Sequence, residues 1–465
     1  MRSALTQSLV TGKPSEPQST KPSRTLGHAF PCIAYGAGED DASERSLSPA
    51  SSDAHISQAL DALELDKLEL VGSAPSAGLD DLTPDGKRLQ GIKRAVSEVG
   101  ELDGVTTFCE LAVPLAVRIA EKLGLPHNTP ESIDFARDKH KARELMQQAG
   151  LPTPKHHRIT KAADVQVAAD VVGFPAVIKP VSGAASIGVM RVDNLQQLND
   201  AYARVSSDMR RAKVVAGALS EGDIEEEEQG NAGSWLDLYL DGQEVDVDLV
   251  FDNGVPAYGA VTDNWPTVEP YFNETGSNCP SVLPGSEQQE LCELAVRSVQ
   301  ALGLSMGVFH VELKQTSRGP RLIEINCRMG GGPVRDINLL VWGVDLVEEN
   351  LYAHVGIPVR PFIARQPLKQ IAEYSINAQV TGILRDTDYL KPWQNHPEVL
   401  YARPLVEPGH KCISVADGLP TWVCEIMVTK PKVQDAITFI KDIAASLDIP
   451  IIPKPIKHLH GPEPH

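Results

Sequence analysis

Residues 310–332, "HVELKQTSRGPRLIEINCRMGGG", place two carboxylates, Glu312 and Glu324, in strand-like runs on either side of a turn. Phe309, Val311 and Leu313 alternate with His310, Glu312 and Lys314, the period of a half-buried strand. Ile323 and Ile325 alternate in the same way with Leu322, Glu324 and Asn326, and Ser317-Arg318-Gly319-Pro320 supplies the turn. A hairpin centred near Arg318 sets Glu312 opposite Glu324 and His310 opposite Asn326. Cross-strand neighbours lie roughly 4.5–5.5 Å apart, and like charges so placed destabilise a sheet. A shared proton, a basic side chain or a divalent cation would offset the repulsion. The plain alternative is a solvated outer face with Lys314 and Arg321 nearby. Asn326 adds an oxygen donor without charge, and Arg328 and Gly330-Gly331-Gly332 follow at once. Oxygen ligands beside a cation and backbone-exposing glycines suit magnesium holding phosphate.

A phosphate site needs more than one cation. The small-residue loop "SGAASIGV" (182–189) follows "VIKP", so Lys179 could bring charge while Ser182, Gly183, Ser186 and Gly188 let phosphate approach the backbone. The alternative is a flexible hairpin loop beside an exposed lysine. Val189-Met190 stand where a Walker A loop needs Lys-Ser/Thr, and no GxGxxG opens a helix, so two common nucleotide fingerprints are excluded.

The elements that would carry these groups are those of an α/β protein. The 465 residues allow two or three domains, with 23% charged and 5% aromatic residues, an ordinary globular composition. A net charge of −19 argues against a general binder of nucleic acid or acidic membrane, and no apolar run is long enough to span a bilayer. The seven cysteines are scattered without a CxxC pair, which suits reduced thiols and a cytoplasmic setting. Residues 1–60 read as a disordered segment, whether tail or transit peptide, and 61–130 as a partial α/β domain. A strand end falls at 104–108, and helices at 111–123 and 133–149. Strands flank the loop at 182–189 and the Asp241-Gly242 turn within 234–254, and helices cover 287–303 and the stretch after Gly343. The glutamate run 225–228 reads as a solvated loop. Residues 366–452 form a smaller mixed α/β module, with a tail over 453–465.

The order of "FARDKHKARELMQQAGLPTP", "FPAVIKPVSGAASIGV", "LYLDGQEVDVD" and the hairpin resembles the ATP-grasp superfamily. "GVTTFCELAVPLAVRIAEKLGLPHNTPESIDFARDK" and "NCRMGGGPVRDINLLVWGVDLVEE" are similar to the carboxylate–amine ligases of the carnosine synthase and L-amino acid ligase type, over about residues 100–450. The resemblance implies an ATP-grasp fold in which two subdomains, within 131–365, clamp the nucleotide after a short Rossmann-like domain. Lys139 and Lys179 then contact the phosphates, and the loop at 182–189 closes over them. Asp237, with the backbone of Leu238 and Leu240, meets adenine, and Glu244 takes the ribose hydroxyls. The family hinge usually reads Glu-Glu-Tyr, from which Asp237-Leu238-Tyr239 departs. Glu312, Glu324 and Asn326 become ligands of two magnesium ions, for which manganese can substitute, and Arg328 stabilises the transferring phosphate. Arg335, Gly331 and Glu274 fall on the substrate side, Arg335 having a structural salt bridge as its rival reading, and 264–281 is the candidate selectivity loop.

The implied reaction joins two small amino acids, such as β-alanine and histidine, at the expense of ATP. Other carboxylate, amine or thiol substrates, or a nucleotide-binding scaffold without catalysis, are the alternatives. The implied partners are small-molecule amino acids, with no nucleic acid and no membrane, in a homodimer or homotetramer.

Overall fold

A single carboxylate interrupts the helix expected over 133–149. In the computed structural model, which describes residues 102–180, 189–215, 218–221, 234–269, 272–417 and 420–453, Asp138 leaves the helical region at φ −88°, ψ 102°. Its side chain accepts from the backbone N–H of His140 at 2.8 Å and of Lys141 at 3.2 Å. A short acid at that point competes with the helix it would otherwise extend, and starts a new one. The leading region therefore holds α1 (Val113–Leu123), α2 (Pro130–Arg137) and α3 (Lys139–Gln148). The strand end expected at 104–108 does not form.

The chain continues through β1 (His156–Ile159), α4 (Val165–Val172), β2 (Ala176–Pro180), β3 (Met190–Val192), α5 (Leu195–Arg211), β4 (Ala212–Val215), β5 (Ala218–Glu221) and β6 (Ser234–Leu238). Strands β1-β6-β2-β3, in that order, form an antiparallel sheet. Alternate apolar residues of these strands, Ile159, Ile178 and Leu236 among them, are buried with Val165, Ala168 and Leu198 of α4 and α5.

Next come β7 (Gln243–Asp252), β8 (Val255–Asn264), β9 (Gly276–Cys279), α6 (Gly285–Ala301), β10 (Gly307–Thr316), β11 (Gly319–Asn326), α7 (Val334–Trp342) and α8 (Leu346–His354). The chain ends with β12 (Gln370–Asn377), β13 (Gly382–Leu384), α9 (Lys391–Gln394), β14 (Val399–Pro404), β15 (Lys411–Cys412), β16 (Trp422–Lys430), α10 (Val433–Ser446) and β17 (Ile451–Pro453). An eight-stranded antiparallel sheet runs β11-β10-β7-β8-β9-β12-β16-β14. Position 366 therefore lies between strands of one sheet, since β12 pairs with β9 through Ile371↔Cys279 to Tyr374↔Gly276.

Both strands expected within 234–254 form, but not as a hairpin: β6 lies in the small sheet and β7 in the large one. Residues 239–242 make the crossing, and Gly242 turns it at φ +87°. A Cβ there would lie 1.9 Å from the Gln315 carbonyl oxygen, so only glycine fits.

All described residues fall within one structural unit. Among them no helix is long and apolar enough to cross a membrane. Among the described residues Cys109, Cys279, Cys327, Cys412 and Cys424 are free thiols. The expected segments 1–60 and 61–101, the glutamate run 225–228 and tail residues 454–465 lie outside the described residues.

Candidate active site

The β10–β11 hairpin turns through only Ser317 and Arg318, Thr316 pairing with Gly319 and Leu313 with Leu322. Continued evenly, that register would set Glu312 against Ile323 and send Glu324 to the core face. A β-bulge intervenes, and beyond it Glu312 faces Glu324 and His310 faces Asn326, the expected pairs. Leu322 and Ile325 are core residues, while Ile323 and Glu324 both line a cavity. Ile323 thus does not keep the expected alternation, because bulges place two consecutive side chains against one partner and re-aim them beside active sites. The Ile323 carbonyl accepts from Nη2 of Arg143 at 2.8 Å.

A lysine offsets the repulsion between the two acids. Nζ of Lys139 donates to Oε1 of Glu324 at 3.1 Å, and Nδ2 of Asn326 donates to Oε1 of Glu312 at 3.1 Å. Burial, and then the charge of Glu324, pushes the Glu312 carboxyl above its usual range. Burial opposes ionisation of Glu324 too, but Lys139 and Lys179 outweigh it and hold that carboxyl low. Behind Glu312, across the sheet, stands Asp246 of β7. His310 is buried between two acids, its Nδ1 2.8 Å from Oδ1 of Asp248 and its Nε2 3.7 Å from Oδ1 of Asp246. Burial opposes charge on the ring, yet the two aspartates push His310 up to about 10, so it stands as an imidazolium. The Asp248 carboxylate also accepts from Nδ2 of Asn338 at 2.8 Å. Gly330 packs against this histidine, where a Cβ would meet Nδ1 at 2.6 Å.

The opposite wall repeats the pairing of lysine with acid. Lys179 of β2 lies 2.7 Å from Oδ2 of Asp237 on neighbouring β6, and Nη2 of Arg143 lies 3.7 Å from the same oxygen. The Trp235 indole N–H donates to the other carboxylate oxygen at 2.7 Å. Burial drags the Lys179 ammonium below its usual range, while Lys179 and Arg143 overcome the same burial to keep the Asp237 carboxyl ionised. Arg143 follows Lys139 by one turn on one face of α3, and so serves both walls. Arg328 is oriented by Glu110, with Nε donating to Oε2 at 2.8 Å, and Arg137 takes the other Glu110 oxygen at 3.2 Å.

The acids and bases of the two walls meet in one cleft of about 1190 Å³, its open mouth included. It brings together Lys139, Lys179, Asp237, Leu238, Leu240, Glu244, Glu274, Glu312, Glu324, Asn326 and Arg328 from among the expected site residues. Glu244 faces Lys314 at 3.5 Å, and burial raises its carboxyl. Glu274 reaches the cleft from the expected selectivity loop, with Thr267 and Phe272. Burial raises its carboxyl too, and the charge of Asp246 adds to that. The N–H of Leu238 donates to the Lys155 carbonyl at 2.8 Å. Arg335 does not reach the cleft: it forms a two-pronged pair with Asp345 at 2.9 and 2.6 Å, its structural rival reading. Gly331 is exposed and likewise outside the cleft lining. Ser182, Gly183, Ser186 and Gly188 lie outside the described residues.

Sequence reasoning missed Arg143, Glu110 and Tyr239. Arg143 had a signal in its helical spacing from Lys139. Glu110 had none, since its partner lies more than two hundred residues away. Tyr239 lines the cleft with the Arg191 guanidinium 4.5 Å above its ring and its hydroxyl donating to Glu269 at 2.9 Å. The Cys327 thiol is pushed up by burial, which fits the absence of any assigned role.

Among the described residues no three His, Cys, Asp or Glu side chains converge as a metal site. Glu312, Glu324 and the amide of Asn326 could instead offer a set of oxygen donors, the chemistry that fits a hard divalent cation.

Residues 172–336 match the ATP-grasp domain family. Carnosine synthase 1 of Homo sapiens is 33% identical over 275 residues, which span 57% of this chain and 32% of that protein. Alanine–anticapsin ligase of Bacillus subtilis (strain 168) is 28% identical over 256 residues, 54% of either chain. The chain therefore spans about a third and about half the length of these relatives. In structure, the L-amino acid ligase from Bacillus licheniformis superposes with a TM-score of 0.69 at 23% identity, covering 80% of this chain and 87% of that one. The chain carries an ATP-grasp domain in an ATP-grasp fold, and in sequence it is similar to carnosine synthase 1 and to alanine–anticapsin ligase.

Proposed function

We propose that this chain is an ATP-dependent ligase that joins two small amino acids through an acyl phosphate, with β-alanine and histidine as carnosine-synthase-like substrates. One observation carries the reading: Glu312, Glu324 and Asn326 share a cleft with Lys139, Lys179, Arg143 and Arg328. Acids that take a divalent cation and bases that take phosphate are what a metal–nucleotide complex requires together. The relatives, a carnosine synthase and an alanine–anticapsin ligase by name, support the reaction class.

A carboxylate is a poor electrophile. Its oxygen bonds to the γ-phosphorus of ATP as the bond from that phosphorus to the bridging oxygen breaks, releasing ADP. The amine nitrogen then adds to the acyl carbon, the carbon–oxygen bond to phosphate breaks, and the nitrogen gives up a proton. Glu312, Glu324 and Asn326 would hold magnesium, which would neutralise charge on the phosphates. The chain's own part is positioning and electrostatics. Lys139 and Lys179 meet the phosphates, and Arg328, fixed by Glu110, faces the transferring phosphoryl group. Asp237 and Leu240 border the adenine, Glu244 takes the ribose, and Glu274 offers its carboxylate to a substrate ammonium. The setting in this reading is the cytoplasm.

The test is magnesium-dependent ADP release over pairs of amino acids that include β-alanine with histidine. ADP forms only when a carboxyl donor and an amine acceptor are both present, and Glu324→Ala abolishes it. No ADP with any pair would overturn the proposal.

A further inference from the structure

Each donor residue of the candidate metal site already has a partner within the chain. Lys139, only 12% exposed, gives its ammonium to Glu324 at 3.1 Å. Asn326 gives its Nδ2 to Glu312 at 3.1 Å, and its Oδ1 faces Nη2 of Arg328 at 3.4 Å. A dication settling on Glu324 beside that ammonium would meet direct repulsion, strong in a cleft that water screens poorly. An ammonium held by Glu324 is equally unable to turn to a phosphate.

We infer that Lys139 is the resident cation of the acidic pair, and that metal–nucleotide displaces it in an exchange of partners. Glu324 passes from the ammonium to the metal, and the ammonium passes from the carboxylate to a phosphate. No covalent bond changes and no charge is stranded at either end. Each component alone meets a site closed by the Lys139–Glu324 pair, so the two ligands are coupled through it. Lys179 adds its charge to Glu324 from a distance but is not exchanged, because its ion-pair partner is Asp237, which is not among the metal donors. The inference rests on the metal–nucleotide reading of the cleft but on no particular amino-acid substrate.

Binding to the full chain, without turnover, tests it. Free manganese is followed by electron paramagnetic resonance in titrations without nucleotide and with ADP. Lys139→Gln binds manganese alone at least tenfold more tightly than the wild type, while Lys139→Arg and the exposed control Lys141→Gln do not change it. In the reciprocal arm, Glu324→Gln binds ADP in the presence of EDTA at least tenfold more tightly than the wild type, because the lysine is released. That arm keeps the inference testable should Lys139→Gln fail to fold. Unchanged affinity in either arm, with wild type still binding manganese and ADP together, overturns the exchange and leaves the nucleotide reading standing. A wild type that binds no manganese even with ADP overturns both.

Discussion

Lys179 and Asp237 stand 2.7 Å apart at 8% and 5% exposure, so neither charge has water to fall back on. Removing one partner of such a pair leaves the other buried and unpaired, a loss of roughly 3–5 kcal/mol. Asp237→Ala should show that loss in urea unfolding, and Asp237→Asn less of it, since the amide oxygen still accepts from Trp235. Equal losses in both variants would mean that charge accounts for the whole loss and that the Trp235 hydrogen bond adds nothing. Glu349 makes the opposite case, a buried acid with an unpartnered Oε2. Burial, and then the nearby Glu348 and Asp345, push its carboxyl up to about 7. A raised folded-state value favours the protonated acid, so the native state is most favoured at low pH. That advantage is lost as pH rises from the usual glutamate range through 7. Glu349→Gln has no charge to bury, and its stability lead over the wild type should grow by about 2 kcal/mol between about pH 5 and pH 8. A lead that stays constant across that interval would refute the assignment.

At the scale of the element, α3 delivers two cations to the cleft because Asp138 tells it where to begin. Asp138→Ala should cost about 1 kcal/mol of stability and weaken ADP binding, since Lys139 lies in the first turn. Asp138→Asn, which can still cap, should keep both. Calorimetry of unfolding and of nucleotide binding separates the two, and an unaffected ADP affinity in Asp138→Ala would show that the cap serves folding alone. The same acid marks where reading the sequence fell short: its neighbours keep one helical period across it, and only the cap geometry reveals two helices. The hairpin was legible for a chemical reason, because Glu312, Glu324, His310 and Asn326 are polar residues recurring on one face of strand-like runs. Its bulge was not, because Ile323 is apolar and suits either face. Arg143 and Glu110 were illegible as partners of Ile323 and Arg328, since nothing local encodes contacts across 180 and 218 positions. The β6–β7 crossing escaped for a related reason: strand, turn and strand read alike whether the strands share a sheet or part company.

That parting organises the whole molecule. One wall of the cleft, with Lys179 and Asp237, belongs to the four-stranded sheet, and the other, with Glu244, Glu312 and Glu324, belongs to the eight-stranded sheet. The chain passes directly between them through residues 239–242, whose Tyr239 itself lines the cleft. Gly242 carries the turn in a conformation that costs an ordinary residue about 1–3 kcal/mol, and it lies against the Gln315 backbone with no room for a methyl group. Gly242→Ala must therefore push the end of β10 away, and β10 carries Lys314 and Glu312. The sheets keep their own cores in this variant, since neither contains residue 242. Far-ultraviolet circular dichroism should then stay close to that of the wild type, while ADP affinity falls at least tenfold as the two walls lose their alignment. The pattern to look for is a binding defect larger than the folding defect. If affinity and unfolding free energy decline in proportion, the crossing is only a loop under strain, and the alignment of the walls must be set by Arg143 and the Lys139–Glu324 pair instead.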